Sequence, residues 1–449
     1  MKNVYSPNDY KELGSDSAMI QAAVDEAAKY GAAVVIPRYN ERTGKCIWEL
    51  DATIELYSGS FVTLENCHLR LMDNTYIHFF ENSSARFGVE WWRSETRQHD
   101  IQIIGVGNAL LDGGNHNGVF ESNFNIYDDD GKFIKKTEYM GFTGIYINRG
   151  IQFRNVERVT VRGLRFINQR YWAMSFEYCS FGHVADITFE AMANVPNQDG
   201  IDIRVGCHNF LIENIAGLVG DDTVAITNFG VDGDYDMDPD IHDIIIKNIR
   251  TYQTSACDAI RILNRGGFKI YNVEISNVVD ISPAFGERRA LAAIRIGDLN
   301  DYPARLNLLG ETRNIVVRDV ITRARFGVYV ANSLADATFD NIMMVSDGGI
   351  GMYFNGCELK NVYINKLLYG VNSEPPASDV GYTHVHHRVK IDRLSAICFN
   401  NCRGENISVR DIVCAKGLSC AIDVNSPLDV KTSGIELAEG VEGGDAACG

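Results

Sequence analysis

Apolar residues fall in short alternating bursts along almost the whole chain. The bursts end alike: Gly144-Ile145-Tyr146-Ile147, Ala173-Met174-Ser175-Phe176, Gly200-Ile201-Asp202-Ile203, Thr223-Val224-Ala225-Ile226, Ala259-Ile260-Arg261-Ile262, Ala293-Ile294-Arg295-Ile296, Gly327-Val328-Tyr329-Val330, Gly351-Met352-Tyr353-Phe354 and Ala421-Ile422-Asp423-Val424. Period-two alternation predicts strands whose last residue points into a core. From Ile147 to Phe354 the ends recur at steps of 29, 27, 23, 36, 34, 34 and 24 residues. Between them lie further strand-like runs such as Val159-Thr160-Val161, Phe210-Leu211-Ile212, Ile244-Ile245-Ile246, Ile315-Val316-Val317 and Ile407-Ser408-Val409. Many are followed by a polar residue and then Asn or Asp, as at Asn214, Asn248 and Asp319. Short strands repeated at this period, with polar corners and almost no helix, predict a solenoid whose coils bury their inward residues only by stacking.

The expected fold is all-β, a right-handed parallel β-helix of roughly ten to twelve coils. A propeller would need more uniform four-strand units of about 40–45 residues. One helix is expected near the start, capped by Asp16 or Ser17, with Met19, Ile20, Ala23, Val24 and Ala27 as its apolar stripe and Gly31 at its end. It would cover the open end of the core. Insertions at 121–141, 229–240, 283–291 and 372–387 break the rhythm and are expected as loops. No linker interrupts residues 1–449, so a single domain is expected, with a cap region at 1–40 and a loose tail beyond about 430.

Composition narrows the partners. With 45% hydrophobic residues among 449, the chain can bury a large core. Its 42 basic and 59 acidic side chains leave a net charge of −17, which argues against nucleic acid or an anionic membrane surface. No apolar run approaches the ~20 residues of a membrane span. The opening Met1-Lys2-Asn3-Val4-Tyr5-Ser6-Pro7 has no apolar segment resembling a signal peptide, and the eleven cysteines lack a disulfide or metal-finger spacing. A cytoplasmic location is the expectation.

The chemistry concentrates in Asn197-Gln198-Asp199-Gly200-Ile201-Asp202 and Gly220-Asp221-Asp222-Thr223-Val224-Ala225-Ile226. Asp199 stands four residues before Ile203, Asp222 four before Ile226, and Asp221 five before it. Strands in stacked coils lie about 4.8 Å apart, so equivalent offsets predict one patch of carboxylates. Like charges that close raise at least one pKa, and an acid beside ionised bases is what glycosidic hydrolysis uses. The plainer reading, Asp and Asn as turn-forming residues, is assigned to Asn214, Asn248 and, as one alternative, Asp202. Asp258 lies four residues before Ile262 and so shares the register; Arg295, Arg261 and Asp202 share an outward parity on their strands.

These motifs resemble glycoside hydrolase family 28, the polygalacturonases and their relatives. Asn-x-Asp-Gly-x-Asp followed one coil later by Gly-Asp-Asp-x-x-Ala-Ile carries the resemblance. Asn168-Gln169-Arg170-Tyr171-Trp172, Pro196, the opening helix and Leu111-Asp112-Gly113-Gly114 add to it, over roughly residues 15–330. The resemblance implies a pectin-lyase-type β-helix and an inverting hydrolase with Asp221 as general acid and Asp199 with Asp222 activating water. Asn197 and Arg295, within the matching motifs, are expected to contact the substrate; Asp258, by its register, and Arg261 and Asp202, by their parity, are expected to do so as well. Two elements depart. The family's Gly-His-Gly is matched by Ala256-Cys257-Asp258, and its Arg-x-Lys by Arg295-Ile296-Gly297 followed by Asp298. In the family that basic pair helps to hold a uronate carboxylate. Either Arg261, Arg265, Arg288 or Arg289 supplies the missing charge, or the substrate is neutral and Asp258 or Asp298 bonds its hydroxyls.

Other signals are weaker. Asp232, Asp234, Asp236, Asp238, Asp240 and Asp243 approach the spacing of a calcium loop but lack its glycine and closing Glu, so a solvated acidic loop is expected. His384, His386 and His387 read as a surface loop, Trp91 and Trp92 as packing or sugar-stacking residues, and Cys257 as a small packing residue. No cofactor and no metal is called for. Three functions compete: a hydrolase of a pectin-like or neutral oligo- or polysaccharide, a calcium-dependent polysaccharide lyase, and a non-catalytic carbohydrate-binding β-helix. The carboxylate register favours the first. The expected partner is the glycan substrate, with no nucleic acid and no membrane; a homo-oligomer is left open.

Overall fold

The computed structural model describes residues 2–85, 90–118, 149–191, 195–230, 236–252, 257–283, 289–298, 307–345, 348–370, 381, 389–414 and 418–438, and the backbone of 125–127, 133–136, 383–384 and 442–444. Asp232, Asp234, Arg288, His386, His387 and most of the expected loops at 121–141 and 372–387 lie outside these residues. The chain falls into two compact units, Met1–Gly220 with Gly233–Asp238, and Asp221–Asp232 with Pro239–Gly449.

The first unit begins with helix α1, Asp16–Tyr30. Its stripe of Met19, Ile20, Ala23, Val24 and Ala27 is buried, as the spacing predicts. The cap differs. Ser15 occupies the N-cap and accepts a hydrogen bond from Ala18 N, while Asp16 turns its carboxylate to Arg42, Asn40 and the amide of Glu49. Gly31, with φ of 61°, closes the helix in the left-handed conformation a glycine adopts without strain. The strands that follow pair in parallel. One set runs through Ala33–Ile36, Phe61–Glu65, Gln98–Val106, Val156–Arg162, Ser180–Glu190 and His208–Leu218. A second runs through Ile54–Leu56, Phe80–Asn82, Ile151–Arg154, Met174–Glu177 and Ile201–Arg204.

The second unit repeats this plan. Ile241–Thr251, Ile270–Asp280, Thr312–Thr322, Leu334–Met344, Glu358–Tyr369, Arg403–Cys414 and Val430–Leu437 form one parallel set. Val224–Asn228, Ile260–Asn264, Ala292–Ile296, Phe326–Val330, Ile350–Asn355, Ser395–Asn400 and Cys420–Asn425 form the other. Each unit is thus a parallel β-helix. Among the described residues no helix is long and apolar enough to cross a membrane.

The register follows the sequence pattern. Phe176 pairs with Ile203 in the first unit. In the second, Ile226, Ile262, Ile296, Val330, Phe354, Phe399 and Val424 form one continuous row. Burial of each such aliphatic or aromatic side chain contributes about 1.5–3 kcal/mol. The long strands bend at Asn214, Asn248 and Asp319, all with φ near +58°, a conformation that Asn and Asp tolerate best among residues with a Cβ. Their side chains extend the stacking outside: Asn214 Nδ2 donates to Asp186 Oδ1 at 2.9 Å, and Asn277 Nδ2 to Asn248 Oδ1 at 2.8 Å. Asp202 does not belong with them. It sits within Ile201–Arg204 and is buried, so the turn reading fails for it: a strand interior offers no turn to close.

Candidate active site

In the first unit, the residues around Asp199 lie at the entry to strand Ile201–Arg204. Asn197 takes the left-handed conformation, φ 58°, which turns the chain into the strand. The carbonyls of Asp199 and Gly200 accept from the amides of Ala173 and Met174, which fixes this stretch on the preceding coil. Asp199 and Asp202 are both buried. Burial pushes the Tyr171 phenol up, with Asp199 and Asp202 adding to the rise and Arg149 and Arg204 opposing it.

Beside them is a cluster that the sequence reading did not single out. Arg149 Nη1 reaches Glu177 Oε1 at 2.8 Å and Arg154 Nε reaches Glu177 Oε2 at 2.9 Å. The guanidiniums of Arg149 and Arg204 lie 4.8 and 4.7 Å from the centre of the Trp172 ring, and Arg154 lies 4.7 Å from that of Trp91. Burial pushes the Glu177 carboxyl up, but Arg154, Arg149 and Arg204 outweigh it and hold it at about 2. The signal was present: Arg154, Glu177 and Arg204 each follow an inward residue, Phe153, Phe176 or Ile203, and so share the outward parity.

The second unit holds the other carboxylates. The tight turn before Val224–Asn228 carries Asp221 and Asp222, and the Asp222 amide donates to Asp221 Oδ1 at 3.1 Å. Asp222 is buried and fully engaged. Its Oδ1 accepts from the amide of Asp258 at 3.0 Å and its Oδ2 from Arg261 Nη1 at 3.3 Å. The shared offset of Asp222 and Asp258 therefore places them one above the other. Asp258 repeats the pattern one coil on: Oδ1 accepts from Ala292 N at 3.1 Å, Oδ2 from Arg295 Nη1 at 3.2 Å. Arg295 Nη2 continues to Asp298 Oδ2 at 2.5 Å, and Arg261 Nη2 lies 3.7 Å from the same oxygen. Arg261 and Arg295 are paired in register.

Burial pushes the Asp221 carboxyl up to about 6, with Asp222 adding to the rise while Cys257 and Arg261 oppose it. Unlike Asp222, Asp221 keeps part of its surface open. Asp258 rises to about 7: burial is the largest cause and Asp222 adds to it, against the pull of Arg295. One acid that holds its proton into mildly acidic solution therefore stands beside carboxylates fixed by amides and guanidiniums, an arrangement suited to general acid chemistry.

Among the described residues, the candidate Arg289 is fully buried and donates to the carbonyls of Arg323 and Ala324. Arg265 is exposed, with its amide bonded to the Asn228 carbonyl. Gly297, where the family pattern has lysine, has φ of +84°, and a Cβ there would meet Asn332 Cβ at 2.5 Å. The acidic loop divides its carboxylates: Asp236 accepts from Ser94, Asp240 from the backbone amide of Lys269, and Asp243 from Asn272 Nδ2.

No curated protein matches the chain. Among solved structures, the exopolygalacturonase of Thermotoga maritima is 13% identical, with 97% of this chain and 92% of that chain covered and a TM-score of 0.45. The family 28 exopolygalacturonase of Yersinia enterocolitica is also 13% identical, with 98% and 79% covered and a TM-score of 0.45. The tailspike protein of E. coli bacteriophage HK620 is 11% identical, with 98% and 78% covered and a TM-score of 0.55, a likeness of fold. Over residues 60–232, which hold Asp199, Asp221 and Asp222, the chain matches the sequence model of Glycosyl hydrolases family 28, the family its paired aspartate motifs resemble.

Proposed function

We propose that the protein is a glycoside hydrolase that cuts O-glycosyl bonds of an oligo- or polysaccharide with inversion. Asp221 gives its proton to the departing glycosidic oxygen. Asp222, together with Asp199, takes a proton from the attacking water. Asp258 and Arg261 hold Asp222, Arg295 holds Asp258, and the sugar meets Asn197, Asp202, Arg261 and Arg295. The observation that carries the reading is Asp221 itself: a carboxyl pushed up to about 6, with surface left open, next to an Asp222 whose two oxygens are already held. Asp199 enters through its equivalent offset in the sequence and the family match over its segment. A lyase would need a cation available as a base; Arg261 and Arg295, the cations of this site among the described residues, are each ion-paired with carboxylates, which supports hydrolysis over elimination.

The test is mass spectrometry of products from a panel of neutral and uronic oligosaccharides. Products heavier by one water are expected, and their formation should fall at least ~10³-fold in Asp221→Asn. Unsaturated products without added water, or an Asp221→Asn enzyme with full activity, would sink the proposal.

A further inference from the structure

We propose that the sugar meeting Arg261 and Arg295 is neutral, and that this site discriminates against uronates. The inference rests on the hydrolase reading only for the class of ligand, a glycan.

A carboxylate on a substrate is held by a cation whose charge is not already offset by the chain. Here both guanidiniums are ion-paired with carboxylates of the protein itself. Arg295, only 4% exposed, places Nη1 on Asp258 and Nη2 on Asp298. Arg261 places Nη1 on Asp222 and turns Nη2 toward Asp298. Asp298, 1% exposed, thus stands between the two arginines as a substrate carboxylate would. A further cation cannot grow from the adjacent backbone. At Gly297 a Cβ would sit 2.5 Å from Asn332 Cβ and 3.0 Å from the Ala331 carbonyl carbon and oxygen, and its φ of +84° resists any side chain.

The charge balance points the same way. Asp222 and Asp298 offset Arg261 and Arg295, while Asp221 and Asp258 hold their protons into mildly acidic solution. An arriving anion therefore finds no net positive charge to offset the cost of its desolvation. Sugar hydroxyls, which donate, meet acceptors.

The experiment measures binding to the Asp221→Asn protein by calorimetry, so that turnover does not intervene. The probes are congener pairs of equal length that differ only at C6: galactan and galacturonan, glucan and glucuronan, mannan and mannuronan oligosaccharides. At least one neutral member is expected to bind about tenfold or more tightly than its uronate partner. Equal or tighter uronate binding throughout overturns the inference, and so does the failure of every neutral member to bind. Asp298→Asn, close to isosteric, should narrow the neutral preference about tenfold by releasing both guanidiniums; a melting curve checks that it folds, and if it does not, the congener comparison still decides. Hydrolysis by the unmodified protein is scored separately. A neutral glycan bound but never cleaved defeats the hydrolase reading and leaves this inference standing. A uronate that is preferred and cleaved does the reverse.

Discussion

Replacing Cys257 with alanine tests the chemistry of Asp221 without touching a charge. Three contacts hold the Asp221 carboxyl down against burial and the Asp222 charge: the Cys257 side chain, through a hydrogen bond, Arg261, through its charge, and the Asp222 amide, through a hydrogen bond. Cys257→Ala removes the first alone. A thiol is a weak donor, so the lost bond is worth about 1 kcal/mol. At about 1.4 kcal/mol per tenfold change, the alkaline limb of activity should move up by roughly 0.5–1 in pH. In the unmodified enzyme the proton on Asp221 is lost as pH rises through about 6, so about a tenth of the molecules carry it at pH 7. The variant should carry it in about a third, and kcat/KM at pH 7 should rise about threefold while staying unchanged near pH 5. Cys257→Ser, with a stronger donor, should leave the limb in place or lower it. The assay is the pH profile of kcat/KM from pH 4 to 8. Titration of the Asp221 carboxyl carbon by NMR supplies the same answer without a substrate. A limb that stays put or moves down in Cys257→Ala refutes the assignment of Asp221 as the acid tuned by this contact. The linked stability has a definite sign. The folded value lies above the ordinary 3.8, so this group favours the folded state at low pH and loses that contribution as pH climbs from about 4 to about 6.

Two further outcomes test the frame around the sites. Glu177 is held at about 2, below its ordinary 4.5, so its contribution is present above about 4.5 and lost as pH falls toward 2. That shift corresponds to about 3 kcal/mol, reduced by what burial costs Arg154 and Arg204, whose guanidiniums it pushes below their ordinary value. Glu177→Gln should therefore lose roughly 2–4 kcal/mol in denaturant melts at pH 7, with the gap closing near pH 3; a gap that is the same at both pH values contradicts the ion-pair cluster. Gly297→Ala should cost about 1–3 kcal/mol from its φ and its contact with Asn332, and an unchanged thermal midpoint would contradict that.

The backbone was the legible part. Period-two bursts ending in Phe176, Ile203, Ile226 or Ile262 are a direct image of strand geometry, because an inward residue must be apolar wherever coils stack. For that reason counting back four residues from Ile226 and Ile262 was enough to put Asp222 and Asp258 in contact. Phe399 belongs to the same row but escaped notice, because the 372–387 insertion hides the repeat before it. Helix capping slipped by one residue, to Ser15, since neighbouring Ser and Asp compete for one role within a single turn.

Side-chain partners were not legible, and the reason is reach. A guanidinium sits on four rotatable bonds, so parity tells which face Arg295 takes and not whom it meets. The departure at 297 and 298 shows the consequence. Read as letters, it is a lysine lost, which leaves Arg265, Arg288 and Arg289 as possible replacements. Read as geometry, the lost side chain has no space, because Asn332 and the Ala331 backbone fill it. What was gained matters more: Asp298 sits on Arg295 and faces Arg261. Exchanging a cation for a carboxylate at one edge of a site changes its local charge by two, while every strand keeps its register. Such an exchange leaves the fold intact, so substrate choice is to be sought in these few polar contacts and not in the solenoid that carries them.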